Sequence, residues 1–267
     1  MNITFSIVQI NCAVNQFESN FLKINNFLEK LPITERHLVV LPELWSSGFT
    51  GKLSQAHSKN IEIIESLKLI ANSRNLLIAG SYIILENDLY YNQLKVIGPG
   101  NIELIKYNKN HLFPQMKEIH YFTKGDELSI LEIWGIKIGM AICYDLRFPE
   151  LFRNYAANKT EICILPAQWP EKRIDHFKTL LQARAIENQM IMISSNVCGK
   201  IQNTNFGGHS SIIDHMGKIR AKIIDSESSS TFQISIDDLR QWRNDFPVLI
   251  DANLKFEQAI KIYKVEE

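Results

Sequence analysis

Among the four cysteines of this 267-residue chain, Cys143 has the surroundings of a nucleophile. It ends the apolar run Ile136 to Ile142, which reads as a buried strand, and Pro149-Glu-Leu-Phe opens a helix a few residues later. A thiol at a strand-to-helix turn lies near free backbone N–H groups and the positive end of a helix dipole. Such surroundings are expected to lower its pKa and favour the reactive thiolate. The other three have plainer readings. Cys163 sits inside Ile162-Cys-Ile-Leu165 and reads as a small buried hydrophobe. Cys12 and Cys198 follow strand-like segments. There is no C-x-x-C and no Cys/His spacing of a zinc site, so free thiols and no metal centre are expected.

A nucleophilic thiol needs a base, and it needs something to hold the charge that develops on the attacked oxygen. None of the seven histidines stands in a Cys/His protease signature, and His111 and His209 sit in polar loops. Glu43 follows the apolar strand His37 to Leu41 immediately after Pro42, at the strand end where α/β folds place functional groups. A carboxylate left at the core edge loses solvation and can serve as a base. Taken alone, it reads as a cap on the next segment. Lys109, in Tyr107-Asn-Lys-Asn-His-Leu-Phe113, taken alone reads as a solvated loop lysine. Arg147, four residues past Cys143, could receive a substrate carboxylate as a bidentate fork, or anchor the turn through Asp145 or Glu150. Arg184 and Glu187, spaced i,i+3, read as a structural ion pair.

The elements that must position these groups alternate along the chain. Ile3, Phe5 and Ile7 have strand periodicity, and Phe21, Ile24, Leu28 and Leu31 have helical spacing. A second helix fits Ile61, Ile64, Leu67 and Ala71, with Ser58 or Asn60 as N-cap, and Leu76 to Ala79 returns to strand. Tyr82 to Leu85, Tyr90 to Ile97 and Ile102 to Tyr107 are strands separated by turn residues. Residues 109–125 read as a long ordered loop with short helical turns, a feature more often functional than idle. After Ile142 come a helix from Pro149, strand Ile162 to Leu165, a helix from about Pro170 to Asn188, strand Met190 to Ser194, a hairpin around Asp214 to Gly217, and a last strand, Phe232 to Ile236. The tail from Leu239 is polar and aromatic. This pattern is that of an α/β protein with a mixed sheet, and no linker or composition break divides residues 1–267 into more than one domain.

Composition bounds the partners. A chain with 45% hydrophobic and 22% charged residues is an ordinary globular protein able to bury a substantial core. Its 29 basic and 29 acidic side chains cancel, which gives no general pull toward nucleic acid or an anionic membrane. No signal-peptide pattern opens it, and no apolar run approaches the roughly 20 residues of a membrane span. A cytoplasmic enzyme is expected.

Three segments together resemble the nitrilase-type carbon–nitrogen hydrolase family, which is built on a Glu–Lys–Cys triad. They are Leu41-Pro-Glu43-Leu-Trp-Ser-Ser-Gly48-Phe, Tyr107-Asn-Lys109-Asn-His-Leu-Phe and Ile142-Cys143-Tyr-Asp-Leu-Arg147-Phe-Pro-Glu150. The resemblance continues in Pro166-Ala-Gln-Trp169-Pro, in Gln182-Ala-Arg184-Ala-Ile-Glu187-Asn188 and in Gly208-His-Ser-Ser-Ile-Ile-Asp214, so it covers essentially the whole chain in order. Within the family the chain is most similar to omega-amidase-like members, through Trp169, Met116-Lys-Glu118-Ile-His and the segment Leu239 to Pro247. Those enzymes hydrolyse the distal amide of small dicarboxylic acid monoamides such as 2-oxoglutaramate.

The resemblance implies Cys143 as nucleophile, Glu43 as base, and Lys109 with the backbone N–H of Tyr144 around the oxyanion. Glu118 matches the family's second glutamate and would position Lys109 or the amide. Trp169 would wall the pocket or pack against the following helix. The implied fold is a four-layer αββα sandwich with two mixed sheets. The implied assembly is a homodimer, the partner a small-molecule amide, and no cofactor is required. The alternatives are another amidase of the family, acting on deaminated glutathione or an N-carbamoyl compound, and a non-catalytic binding member. Intact Glu43, Lys109 and Cys143 argue against the last.

Overall fold

A computed structural model describes residues 1–252 and 259–265. In chain order its elements are β1 (Asn2–Gln9), α1 (Phe17–Leu28), β2 (His37–Val40), α2 (Leu53–Arg74), β3 (Leu77–Glu86), β4 (Leu89–Gly98), β5 (Ile102–Asn108), β6 (Leu128–Ile133), β7 (Ile136–Met140), α3 (Pro149–Ala157), β8 (Ile162–Ala167) and α4 (Ile174–Glu187). There follow β9 (Ile191–Asn196), β10 (Cys198–Ile201), β11 (Thr204–Gly207), β12 (Ser211–Ile213), β13 (Ile219–Lys222), β14 (Ser228–Ser235), α5 (Ile236–Asp245), α6 (Val248–Asp251) and β15 (Ile260–Lys264).

Period-two alternation sorts the strand side chains between two cores. Ile3, Phe5 and Ile7 of β1, Leu38 and Val40 of β2, and Leu77 and Ala79 of β3 join Leu128, Ile130 and Ile138 of the second sheet in one buried cluster. Their neighbours Val8, Val39 and Ile78 face the other way, onto Phe17, Ile24 and Leu28 of α1 and Ile64, Leu67 and Ala71 of α2. On the far side, Leu151 and Tyr155 of α3 and Phe177 and Leu181 of α4 complete the larger cluster. The layers therefore run helix, sheet, sheet, helix, the αββα sandwich expected.

Both large sheets are mixed. The first has the order β14-β1-β2-β3-β4-β5, parallel through β1, β2 and β3 and antiparallel elsewhere. The second, β13-β12-β9-β8-β7-β6-β15, is parallel through β7, β8 and β9. Strands β1, β2, β3, β7, β8 and β9 are buried almost throughout, as covering on both faces produces.

Some boundaries differ from the sequence expectations. The strands expected at Leu76 to Ala79 and Tyr82 to Leu85 are one strand, β3, which runs straight through Gly80. That glycine is a close approach: a Cβ there would lie 2.9 Å from the indole Nε1 of Trp45. Helix α2 starts at Leu53, before either expected cap. Asn60 is instead buried inside it, accepting from Ser46 Oγ at 2.6 Å and donating to the Ile83 carbonyl at 3.0 Å. The region from Leu239 holds most of α5, capped at its start by Ser235 Oγ, and an edge strand, β15, parallel to β6. Residues 253–258 of that region lie outside the described residues.

Candidate active site

The ends of four strands from the two sheets meet at Glu43. The residue lies just past β2, fully enclosed, and its backbone N–H donates to the Ala167 carbonyl of β8 at 3.4 Å. Its Oε1 accepts from Lys109 Nζ and from Asn92 Nδ2, both at 2.8 Å, and its Oε2 accepts from the backbone N–H of Gln168 at 2.9 Å. The Gln168 side chain donates to the Glu43 carbonyl at 2.8 Å, so main chain and carboxyl are both held. Both carboxyl oxygens are thus engaged by donors.

Lys109 follows β5 and is also enclosed, with its ammonium between two carboxyl groups: Glu43 on one side and Glu118 Oε1, again at 2.8 Å, on the other. Burial alone would depress this lysine, but Glu118 and Glu43 outweigh it and raise its pKa well above the ordinary value. It remains an ammonium. Glu118 is carried on the long loop, in one of two short 3-10 turns, and its Oε2 accepts from the Phe113 N–H at 3.0 Å. Burial pushes its carboxyl above the usual range, against the downward pull of Lys109.

Cys143 opens a 3-10 turn between β7 and α3, with φ at +45°. A non-glycine residue in this left-handed region costs about 1–3 kcal/mol of backbone strain, which the surroundings must hold. The residue that holds it is Asp145. Its Oδ2 accepts from the Ile142 N–H at 2.9 Å and from the Tyr107 hydroxyl at 2.8 Å, while its Oδ1 accepts from both the N–H and the Nδ1 of His111. Asp145 thus fastens the nucleophile turn to the loop that carries Lys109. Replacing it with Ala would strand several buried donors at once. Asp145→Ala is expected to cost about 3–5 kcal/mol of stability in urea unfolding, with a fall in turnover of the folded fraction.

The expectation of a depressed thiol pKa is not met. Burial, then the neighbouring Glu43, push Cys143 well above the ordinary thiol value, and Lys109 only partly opposes them. A 3-10 turn of five residues supplies too little dipole to reverse that. The physical reason is desolvation first: an enclosed thiolate would lose its water, and Lys109, shared between Glu43 and Glu118, offsets only part of that. Cys143 therefore rests as a thiol. Burial also holds Cys12 up to about 12 and Cys198 up to about 11, so acidity does not set Cys143 apart. Its position beside Glu43 and Lys109 does.

Cys143 is 8% exposed, and it opens onto a narrow cleft lined also by Phe113, Tyr144, Arg147, Gln168, Trp169 and Arg173. The cleft is tight, with about 10 Å³ of accessible space, room for about one water molecule. Tyr144 packs against Phe113 and Phe148. Trp169 does both things expected of it: it walls the cleft and packs against Phe177 of α4, with its indole N–H on the Arg173 carbonyl at 2.8 Å. Arg147 does not anchor the turn through Asp145 or Glu150; its guanidinium lies over the Trp169 ring, 4.7 Å from the centroid. Arg184 and Glu187 form the expected ion pair at 2.8 Å. Among the described residues no group of three or more His, Cys, Asp or Glu side chains is disposed to hold a metal ion.

Four contributors went unrecognised in the sequence: Asn92, Asp145, Gln168 and Arg173. Asn92 left a signal, a buried amide interrupting the apolar face of a strand. Asp145 and Gln168 lay within the motifs quoted above but showed no sign of their partners.

The carbon-nitrogen hydrolase family profile matches residues 4–244. The 2-oxoglutaramate amidase of Bacillus subtilis is 32% identical over 256 residues, covering 94% of this chain and 98% of that protein. Omega-amidase YafV of Escherichia coli K12 is 33% identical over 224 residues, covering 83% and 86%. A CN-hydrolase superfamily protein of Xanthomonas campestris, whose crystal structure holds an arsenic adduct in the active site, superposes with a TM-score of 0.87 at 28% identity, covering 96% of this chain and 99% of that one. With the profile spanning most of the chain and its relatives matched nearly end to end, the chain belongs to the carbon–nitrogen hydrolase family and is an amidohydrolase of non-peptide C–N bonds.

Proposed function

We propose that the chain is an omega-amidase-like enzyme that cleaves the terminal amide of a small dicarboxylic acid monoamide through a thioester on Cys143. Glu43 takes the thiol proton as Sγ attacks the amide carbon. The Lys109 ammonium and the backbone N–H of Tyr144 hold the oxyanion, and ammonia leaves with the proton that Glu43 returns. Glu43 then draws a proton from water, which attacks the thioester and releases the acid and the thiol. A lysine locked between two carboxyl groups suits charge stabilisation better than proton transfer. Glu118 positions that ammonium, and Trp169 walls the acyl side of the cleft.

The observation that carries the substrate class is Arg147. Its guanidinium faces the cleft of Cys143 with no carboxylate partner among the described residues, as a receptor for a substrate carboxylate would. The names of the relatives, 2-oxoglutaramate amidase and omega-amidase, point the same way. Ammonia release from a panel of dicarboxylic monoamides, including 2-oxoglutaramate, beside a nitrile and a carbamoyl amino acid, tests the reading. Turnover of the monoamides is expected to exceed the other two by about 100-fold or more, the scale of a lost charged contact plus a misplaced reacting group. No ammonia from any monoamide would refute it.

The same reading takes the protein as one domain acting in the cytoplasm as a homodimer. Ile186, Met216 and Phe246, each more than half exposed, offer apolar surface around α4 and α5 for that pairing. No helix among the described residues is long and apolar enough to cross a membrane.

A further inference from the structure

The cleft in front of Cys143 contains a second guanidinium that the mechanism above leaves without a task. Arg173 sits in the short 3-10 turn before α4, half-buried, and lines the cleft together with Arg147. Each guanidinium rests on an aromatic face: Arg147 on Trp169, and Arg173 on Phe113 at 5.3 Å from the ring centroid. Trp169 ties the two together, because its ring supports Arg147 while its N–H donates to the Arg173 carbonyl. Phe113 is fixed in turn by the hydrogen bond from its N–H to Glu118. Both guanidinia are therefore placed by groups that also build the reacting centre.

Two cations facing one cleft repel each other, and burial first, then Arg173, lower the pKa of Arg147. Neither meets a carboxylate among the described residues; Arg147 has only the ring nitrogen of His176, at a long 3.5 Å. The residues lining this cleft include no acid, and the enclosed Glu43 and Glu118 behind it are engaged with Lys109. An arrangement of like charges held apart on aromatic platforms, with no internal counterion, is relieved by an anion lying between them.

We infer that Arg173 is a specificity-determining residue that completes, with Arg147, a two-guanidinium clamp for the carboxylate end of the substrate's acyl chain. This rests on the monoamide reading proposed above and adds to it a second recognition group, with a consequence for selectivity. An α-ammonium beside the substrate carboxylate would be pressed against two guanidinia with no acid to receive it, so amino-acid amides are disfavoured relative to monoamides that carry no ammonium.

The test compares kcat/KM for succinamate, which ends in a carboxylate, with that for butyramide, which does not. The wild-type ratio of succinamate to butyramide should be large. In Arg173→Gln that ratio is expected to fall about 10- to 100-fold, chiefly through KM for succinamate, the scale of a lost charged hydrogen bond. Arg173→Lys should recover part of it, since charge is kept and the fork is lost. A ratio in Arg173→Gln within twofold of wild type would overturn the inference while leaving the monoamide reading intact. A wild-type enzyme that does not favour succinamate at all would instead sink the monoamide reading itself. Should Arg173→Gln turn over neither amide, calorimetric binding of succinate to Cys143→Ala and to Cys143→Ala/Arg173→Gln decides the matter. Equal affinities would refute the clamp, and a loss of about tenfold or more would support it.

Discussion

Cys143→Ala is expected to abolish ammonia release, with a fall of roughly 10,000-fold or more and no thioester detectable by mass spectrometry, because the covalent route loses its only nucleophile. The fold should barely register the change. Sγ makes one weak contact, 3.8 Å from the Gln168 carbonyl, and alanine tolerates φ of +45° no worse than cysteine does. The loss of one small buried group costs on the order of 1 kcal/mol, or a few degrees of Tm in a chain of this size. Cys143→Ser should be inactive for a different reason: the alcohol is far less acidic than the thiol that Glu43 is placed to deprotonate. Activity surviving in Cys143→Ala would remove Cys143 from the reaction altogether. A large fall in Tm would instead show that the turn depends on the sulfur.

The positions of Glu43 and Cys143 were legible because each follows a short apolar run that could only be a buried strand, and such strands end where α/β proteins keep their chemistry. Lys109 was legible only in company with those two. Nothing local distinguishes a buried loop lysine from a solvated one; what buries it is Glu118, nine residues on, and Glu43, which follows β2, three strands across the sheet from β5. The protonation state of Cys143 was misjudged for a related reason. The turn that follows it is local and readable, but the carboxyl groups that raise its pKa arrive from elsewhere in the chain. Asp145 stayed hidden because its acceptor capacity is spent on Tyr107 and His111, partners more than thirty residues upstream. Gly80 shows the limit from the other side: a residue that reads as a break is the gap that lets Trp45 in.

Glu43→Gln separates the base from every other property of the site. The glutamine is nearly isosteric, and with its oxygen toward Lys109 and Asn92 it keeps two of the three contacts. Its amide N–H2 then meets the Gln168 N–H donor, a mismatch worth about 1–3 kcal/mol, which a domain of ordinary stability survives. The thiol does not become harder to ionise, because the charge of Glu43 acts to raise the Cys143 pKa and its removal lowers it. Nor does Lys109 lose its charge, since Glu118 remains at 2.8 Å. What disappears is the acceptor for the thiol proton, the donor to the departing ammonia and the base that activates water. Each such transfer is worth about 100- to 10,000-fold, so the variant should lie near background in both half-reactions. Rapid quench with mass spectrometry separates the steps. Thioester forming on Cys143 at the wild-type rate and then persisting would assign Glu43 to deacylation alone, and the first proton would need another acceptor. No thioester and no ammonia, in a protein that still binds succinate, is the expected result.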